Sequence, residues 1–98
     1  MELVFEWDAK KARANLKNHR VGFEEAKTVF NDPLLLTYPD EFHSETEERA
    51  ISIGYSKQQR LLLVVHTEHE EENEILIRII SSRKATAAER KVYDDPTE

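Results

Sequence analysis

With 98 residues the chain has room for a single domain, which at this length buries roughly 60 to 70% of its unfolded surface, enough for one sheet and two or three helices. The absence of cysteine excludes disulfides, thiolate metal sites and thiol catalysis, and suits a reducing cytoplasm. A net charge of −6 weighs against nucleic-acid binding, yet ten of the twenty acidic residues fall in two stretches, Asp40 to Glu48 and Glu68 to Glu74, so cations can dominate elsewhere.

Val4 to Trp7 reads as a short strand, and Asp8 follows as a helix N-cap whose carboxylate accepts an amide of the first turn. Ala9 to His19 is the first helix, with Ala9, Ala12 and Leu16 at helical spacing and Lys10, Lys11, Arg13 and Lys17 facing outward. After a turn through Arg20 to Gly22, Phe23 to Phe30 forms a second short helix with Phe23, Ala26, Val29 and Phe30 inward, stopped by Asn31, Asp32 and Pro33. Nothing near Met1 to Lys11 has the long apolar core of an export signal, and no apolar run approaches the span of a bilayer, which points to a soluble cytoplasmic protein without membrane contact.

Leu34 to Tyr38 is a strand, and Asp40 to Glu48 an acidic loop that is expected to order on binding. Arg49 to Tyr55 alternates in the manner of a half-buried strand. The centre of the chain is a pair of near-continuous apolar runs, Leu61 to His66 and Ile75 to Ile80, expected as antiparallel strands joined by the polar stretch Thr67 to Glu74. Thr86, with Glu89 three positions on, forms a capping-box pattern for a last helix through about Tyr93. The expected fold class is α+β: an antiparallel meander sheet with two N-terminal helices and one C-terminal helix, the helices packed over one face.

No nucleophile triad, glycine-rich phosphate loop or metal motif is present, and His66 with His69 beside Glu68 is weak support for a metal site, so neither a metal nor another cofactor is expected. If the hairpin pairs Val64 with Ile80, His66 lies opposite Arg78 on one face. An imidazole beside a guanidinium disfavours its protonated form, which suits a general base, while the arginine holds a phosphate. The bland alternatives are a satisfied strand-end His66 and an Arg78 paired with a carboxylate. Arg83 and Lys84, where the last strand meets the capped helix, read as a phosphate cradle or as a polar connector. Trp7 and Tyr93 are candidates for stacking a base, or core plugs.

Phe5, Glu6, Trp7 and Asp8, then Lys11, Ala12, Asn15, Leu16 and His19, then Val21, Phe23, Glu24, Glu25, Ala26, Val29, Phe30, Asp32 and Pro33 form an ordered pattern along the first third of the chain. It continues through Glu48, Arg49, Ile53, Gly54 and Leu63 to His66, and closes with Ile77, Arg78, Ile79, Ile80, Ser81, Arg83, Ala85, Thr86, Glu89, Arg90 and Tyr93. In this the chain resembles the BrnT family of type II toxins over nearly its whole length. The resemblance implies a RelE-like fold, metal-independent ribonuclease activity that blocks translation, and a BrnA-like antitoxin that binds the toxin as a hetero-oligomer and reaches DNA only through its own DNA-binding domain. Carried over by position, Arg78, Arg83, His66 and His19 are the catalytic candidates and Trp7, Thr86 and Tyr93 the RNA-contacting ones, to which the cradle reading adds Lys84. Where relatives carry Gly after His19 and Ser before Phe23, this chain has Arg20 and Gly22, so the turn is expected to rely on Gly22. The acidic stretch Thr67 to Glu74 would repel RNA if it overhung the basic face.

Two functions follow. One is an endoribonuclease in which arginines grip the scissile phosphate and a histidine takes the proton from the ribose 2′-hydroxyl. The other is a non-catalytic module that seats an antitoxin helix and acts as co-repressor in a DNA-binding complex.

Overall fold

A computed structural model describes residues 1–42 and 47–96. In chain order it contains β1 (Glu2–Glu6), α1 (Ala9–His19), α2 (Phe23–Ala26) continuing into a 3-10 helix (Lys27–Asn31), β2 (Leu36–Pro39), β3 (Ala50–Tyr55), β4 (Leu61–Glu71), β5 (Glu74–Lys84) and α3 (Ala87–Asp94). Part of the acidic loop whose ordering was expected to depend on binding, residues 43–46, lies outside the described residues.

The strands form one sheet in the order β1-β5-β4-β3-β2. Strands β2 to β5 are the expected antiparallel meander, but β1 joins β5 in parallel, so the sheet is mixed. The expected eight-residue connector between the central strands is mostly strand: β4 runs on to Glu71, β5 starts at Glu74, and Glu72 and Asn73 make the turn. Glu68, Glu70, Glu71 and the turn residue Glu72 are exposed there, the first three on the outer strand of a ladder in which Ile75 to Ile77 of β5 also pair with β1.

Register corrects a second expectation. Val64 pairs with Ser82 rather than Ile80, Val65 with Ser81, and His66 with Ile79, so Ile80 is an extra residue and the ladder carries a bulge there. One inserted residue reverses which side chains share a face. His66 therefore faces the same way as Ile79, whereas Arg78 stands opposite Thr67 on the other surface.

The helices do not all lie over one face. Beneath α1, α2 and the 3-10 helix sits the main core of Val21, Phe23, Ala26, Val29, Leu62, Val64, Ile77 and Ile79, with Phe5, Trp7 and Phe30 packed against it. On the opposite face α3 covers a smaller cluster, Ile53, Leu61 and Leu63 with Ala85 and Tyr93. Burial of each such aliphatic side chain contributes about 1.5 to 3 kcal/mol, so the first layer carries most of the stabilisation. The second leaves part of its sheet face open.

Two local devices position the ends of α1. Asp8 caps its start, accepting the Lys11 amide at 2.9 Å, as the sequence predicts. At its other end Arg20 itself adopts the left-handed conformation (φ 59°), while Gly22 sits at an ordinary φ of −84°, so the expected reliance on Gly22 is replaced by strain at an arginine. That strain costs about 1 kcal/mol or more. It is held by contacts: the Arg20 carbonyl accepts from Arg60 Nη2 at 3.1 Å, and Arg60 is in turn fixed by the buried Glu25 carboxylate, which also accepts from Ser56 Oγ.

Asn15, the one fully buried residue of α1, does the work of a missing strand. Because β1 pairs only with Glu74 to Arg78, the remaining edge of β5 has no neighbour. The Asn15 side chain donates to Ser82 O at 2.8 Å and to Val21 O at 2.9 Å, and accepts from the Ser82 amide at 3.0 Å. Its amide thus satisfies three buried backbone groups, and it fixes the end of α1 beside the end of β5.

Candidate active site

The part of the second sheet face that α3 leaves open forms a pocket of about 380 Å³. Ile51, Leu63, Val65 and Ser81 make its floor, from three adjacent strands. Its rim brings together His19 from the end of α1, Tyr38 from β2, Arg83 from the end of β5 and Glu89 from α3, with Asp40 and Phe42 following β2.

Arg83 is held rigidly. Its Nη1 and Nη2 donate to the two oxygens of Glu89, each at 2.8 Å, in the fork-to-fork geometry that suits a guanidinium and a carboxylate. Glu89 Oε1 also accepts the Thr86 amide at 2.8 Å, while Thr86 Oγ1 accepts the Glu89 amide, completing the capping box of α3. The Arg83 bond above all, helped by the Thr86 amide, lowers the Glu89 carboxyl to a pKa of about 2. A carboxylate so acidic is a weak base and serves as an anchor. Burial, and after it the nearby Glu89 charge, raises the Tyr38 phenol above its usual value, so it keeps its proton and remains a donor. His19 is solvent-exposed on the rim.

The other expected site residues lie elsewhere. His66 is fully buried on the opposite face, edge-on to Phe30 with ring centroids 5.0 Å apart, and its Nε2 meets Ser52 Oγ at 2.7 Å in a chain that continues to Thr37 Oγ1. Burial lowers its pKa from 6.5 to about 4. The direction matches the expectation, but the cause is desolvation rather than Arg78. Arg78 is exposed and paired with Glu6 Oε2 at 3.2 Å, the carboxylate pairing weighed as its bland alternative.

Trp7 packs edge-on against Phe23 and plugs the main core. Thr86 is spent as the α3 N-cap. Tyr93 donates to Asp32 Oδ2 at 2.7 Å and leans edge-on against Tyr55, which docks α3, and burial followed by Asp32 pushes its pKa up to about 12. Lys84 leaves the strand on the side away from Arg83, so the two do not face one anion, and the Glu89 amide of the expected cradle is already taken by Thr86. Of eight candidates, the pocket unites His19 and Arg83.

Tyr38 and Glu89 were not recognised as rim residues from the sequence. Glu89 was legible as a helix cap, but its bond to Arg83 depends on how β5 turns into α3, and Tyr38 gave no signal beyond its place in a strand.

The site is thus an open sheet face roofed at one end by a C-terminal helix, with an arginine and a histidine at its edge. The sequence profile of the family described as "Ribonuclease toxin, BrnT, of type II toxin-antitoxin system" matches residues 7–89. The chain belongs to the BrnT family. Among solved structures it is similar to the crystal structure of the Brucella abortus ribonuclease toxin BrnT, with a TM-score of 0.61 and 18% identity over 88% of this chain and 99% of that one, a likeness of fold. A comparison with curated proteins finds no match. Membership of a type II family implies an antitoxin partner. No helix among the described residues is long and apolar enough to cross a membrane.

Proposed function

We propose that the protein is a metal-independent endoribonuclease that cleaves RNA and so inhibits translation in the cytoplasm, and that a BrnA-like antitoxin neutralises it and represses their operon through its own DNA-binding domain. The observation carrying this reading is the convergence of His19 and Arg83 on one pocket from opposite ends of the chain. The exposed His19 imidazole takes the proton of a ribose 2′-hydroxyl, the resulting alkoxide attacks the adjacent phosphorus, and the 5′-oxygen leaves with a proton supplied by the Tyr38 phenol. Arg83 stabilises the extra negative charge on the phosphoryl oxygens, with its orientation fixed in advance by Glu89. Histidine and tyrosine move protons and arginine binds the anion, so each requirement of the reaction has a side chain to meet it.

One observation favours the co-repressor alternative: two carboxylates, Asp40 and Glu89, line the pocket beside a single guanidinium, which suits a protein partner better than a polyanion. Incubation of the purified protein with a synthetic RNA in the presence of EDTA separates the two. Cleavage is expected to persist, and to fall about a hundredfold or more in His19→Ala and in Arg83→Ala. Intact RNA at every protein concentration, or two variants as active as the parent, overturns the assignment.

A further inference from the structure

A second pocket, also about 380 Å³, opens at the end of the sheet where β5 turns into α3. Tyr55, Gln59, Arg60, Lys84 and Arg90 line it. Its charge is the reverse of the chain's. Arg60 is paired with Glu25, whose carboxylate also feels the Lys84 charge, but Lys84 and Arg90 are both exposed and neither forms a salt bridge among the described residues; Arg90 Nη1 donates instead to the Tyr55 hydroxyl at 2.9 Å. The local balance is thus cationic in a protein of net charge −6, while the candidate active site, lined by Asp40 and Glu89 as well as Arg83, is not.

Its position ties it to that site. Lys84 follows Arg83 and Arg90 follows Glu89, so each of these exposed cations is the sequence neighbour of one member of the clamped pair. Adjacent residues of a strand point to opposite faces, and adjacent residues of a helix are turned by about 100°. The alternation therefore aims Arg83 and Glu89 into one pocket and Lys84 and Arg90 into the other, on the two sides of a single strand-to-helix junction. A strand of RNA crossing that junction meets a phosphate-binding group on each side. The half-exposed Tyr55 ring beside the cations offers a surface for a base.

Resting on the ribonuclease reading, we propose that the Lys84–Arg90 pocket is a phosphate subsite that holds an RNA phosphodiester flanking the scissile one, and supplies the counter-charge the catalytic pocket lacks. Because both side chains are exposed, with the Tyr55 hydroxyl bond and the distant pull of Lys84 on Glu25 as their contributions to the fold, Lys84→Gln/Arg90→Gln is expected to fold as the parent does.

The double variant is expected to raise KM for a short RNA about tenfold with kcat nearly unchanged, and to lower the slope of log affinity against log salt by about 1.4, the value for two phosphate contacts on a single strand. Independently, NMR titration of the full chain follows Lys84, Arg90 and Gln59 with inorganic phosphate and with a non-cleavable 2′-deoxy oligonucleotide. Shifts at these residues with the oligonucleotide, abolished in the double variant, support an RNA subsite. Shifts with inorganic phosphate and none with the oligonucleotide overturn it in favour of a free-anion site. Unchanged KM and salt slope in an active enzyme also overturn it and leave the ribonuclease reading standing, as does weakened antitoxin binding with unaltered RNA kinetics. Oligonucleotide shifts in a protein that cleaves nothing sink the ribonuclease reading and keep the subsite.

Discussion

His66 sits where protonation is most costly. In the folded protein its ring is sealed between Ser52 and Phe30 with a pKa of about 4, whereas in the unfolded chain it titrates near 6.5. Above pH 6.5 both states carry neutral imidazole and the contribution to stability is complete. As pH falls from 6.5 to 4 the unfolded chain takes up a proton that the folded one refuses, and about 3 kcal/mol is lost. Urea denaturation at a series of pH values should show this decline in the parent, and a flatter profile between pH 6.5 and 4 in His66→Gln. An equal decline in both would assign the acid sensitivity to other groups. Residue type in the sequence gave no means of separating His66 from His19. His66 follows Leu62 and Val64 by alternation along β4 into the main core, while the reach of α1 leaves His19 on a rim.

At the scale of elements, the capping box of α3 has a second duty. Thr86 and Glu89 stop the helix from fraying, and the same Glu89 carboxylate holds Arg83 across the pocket, so helix formation and guanidinium orientation are coupled. Thr86→Ala should reduce stability by about 1 kcal/mol and lower kcat through a looser Arg83, while Thr86→Ser keeps both. Loss of stability with an unaltered kcat would mean that Arg83 is held well enough without the cap. Most element positions were legible: the extent of α1 and its Asp8 cap, the Phe23 and Ala26 core face of α2 and the start of α3 follow from local spacing and capping residues, but the inward face expected for α1 does not hold, since Ala9 and Leu16 are exposed and the polar Asn15 is the buried residue. What local spacing does not encode is pairing. Val4 and Phe5 look the same beside any strand, so the parallel partner of β1 was invisible, and an all-aliphatic run through Ile79 and Ile80 gives no hint of which residue is the extra one.

At the scale of the molecule, the acidic hairpin and the basic pocket are kept apart by β4. Its eleven residues run along a molecule whose longest extent is 33 Å, about four times the Debye length of about 8 Å at physiological salt. The carboxylates at Glu70, Glu71 and Glu72 therefore stand at one end of the β4–β5 ladder, and Arg60, Lys84 and Arg90 at the other. The net charge of −6 describes neither end. Replacing Glu70, Glu71 and Glu72 with glutamine should alter RNA cleavage by less than about twofold at physiological salt. A large gain would show that the hairpin does overhang bound RNA.

The parallel seating of β1 on β5 also sets the order in which the fold is completed. Glu6 and Arg78, which meet across that ladder, are 72 residues apart in sequence, and Leu3, Val4 and Phe5 have no mate until β5 exists. During synthesis the amino-terminal strand must wait as a loose apolar tail while everything else is made. The candidate active site takes Ser81 and Arg83 from β5 and Glu89 from α3, so its pocket stays incomplete until these last elements are made.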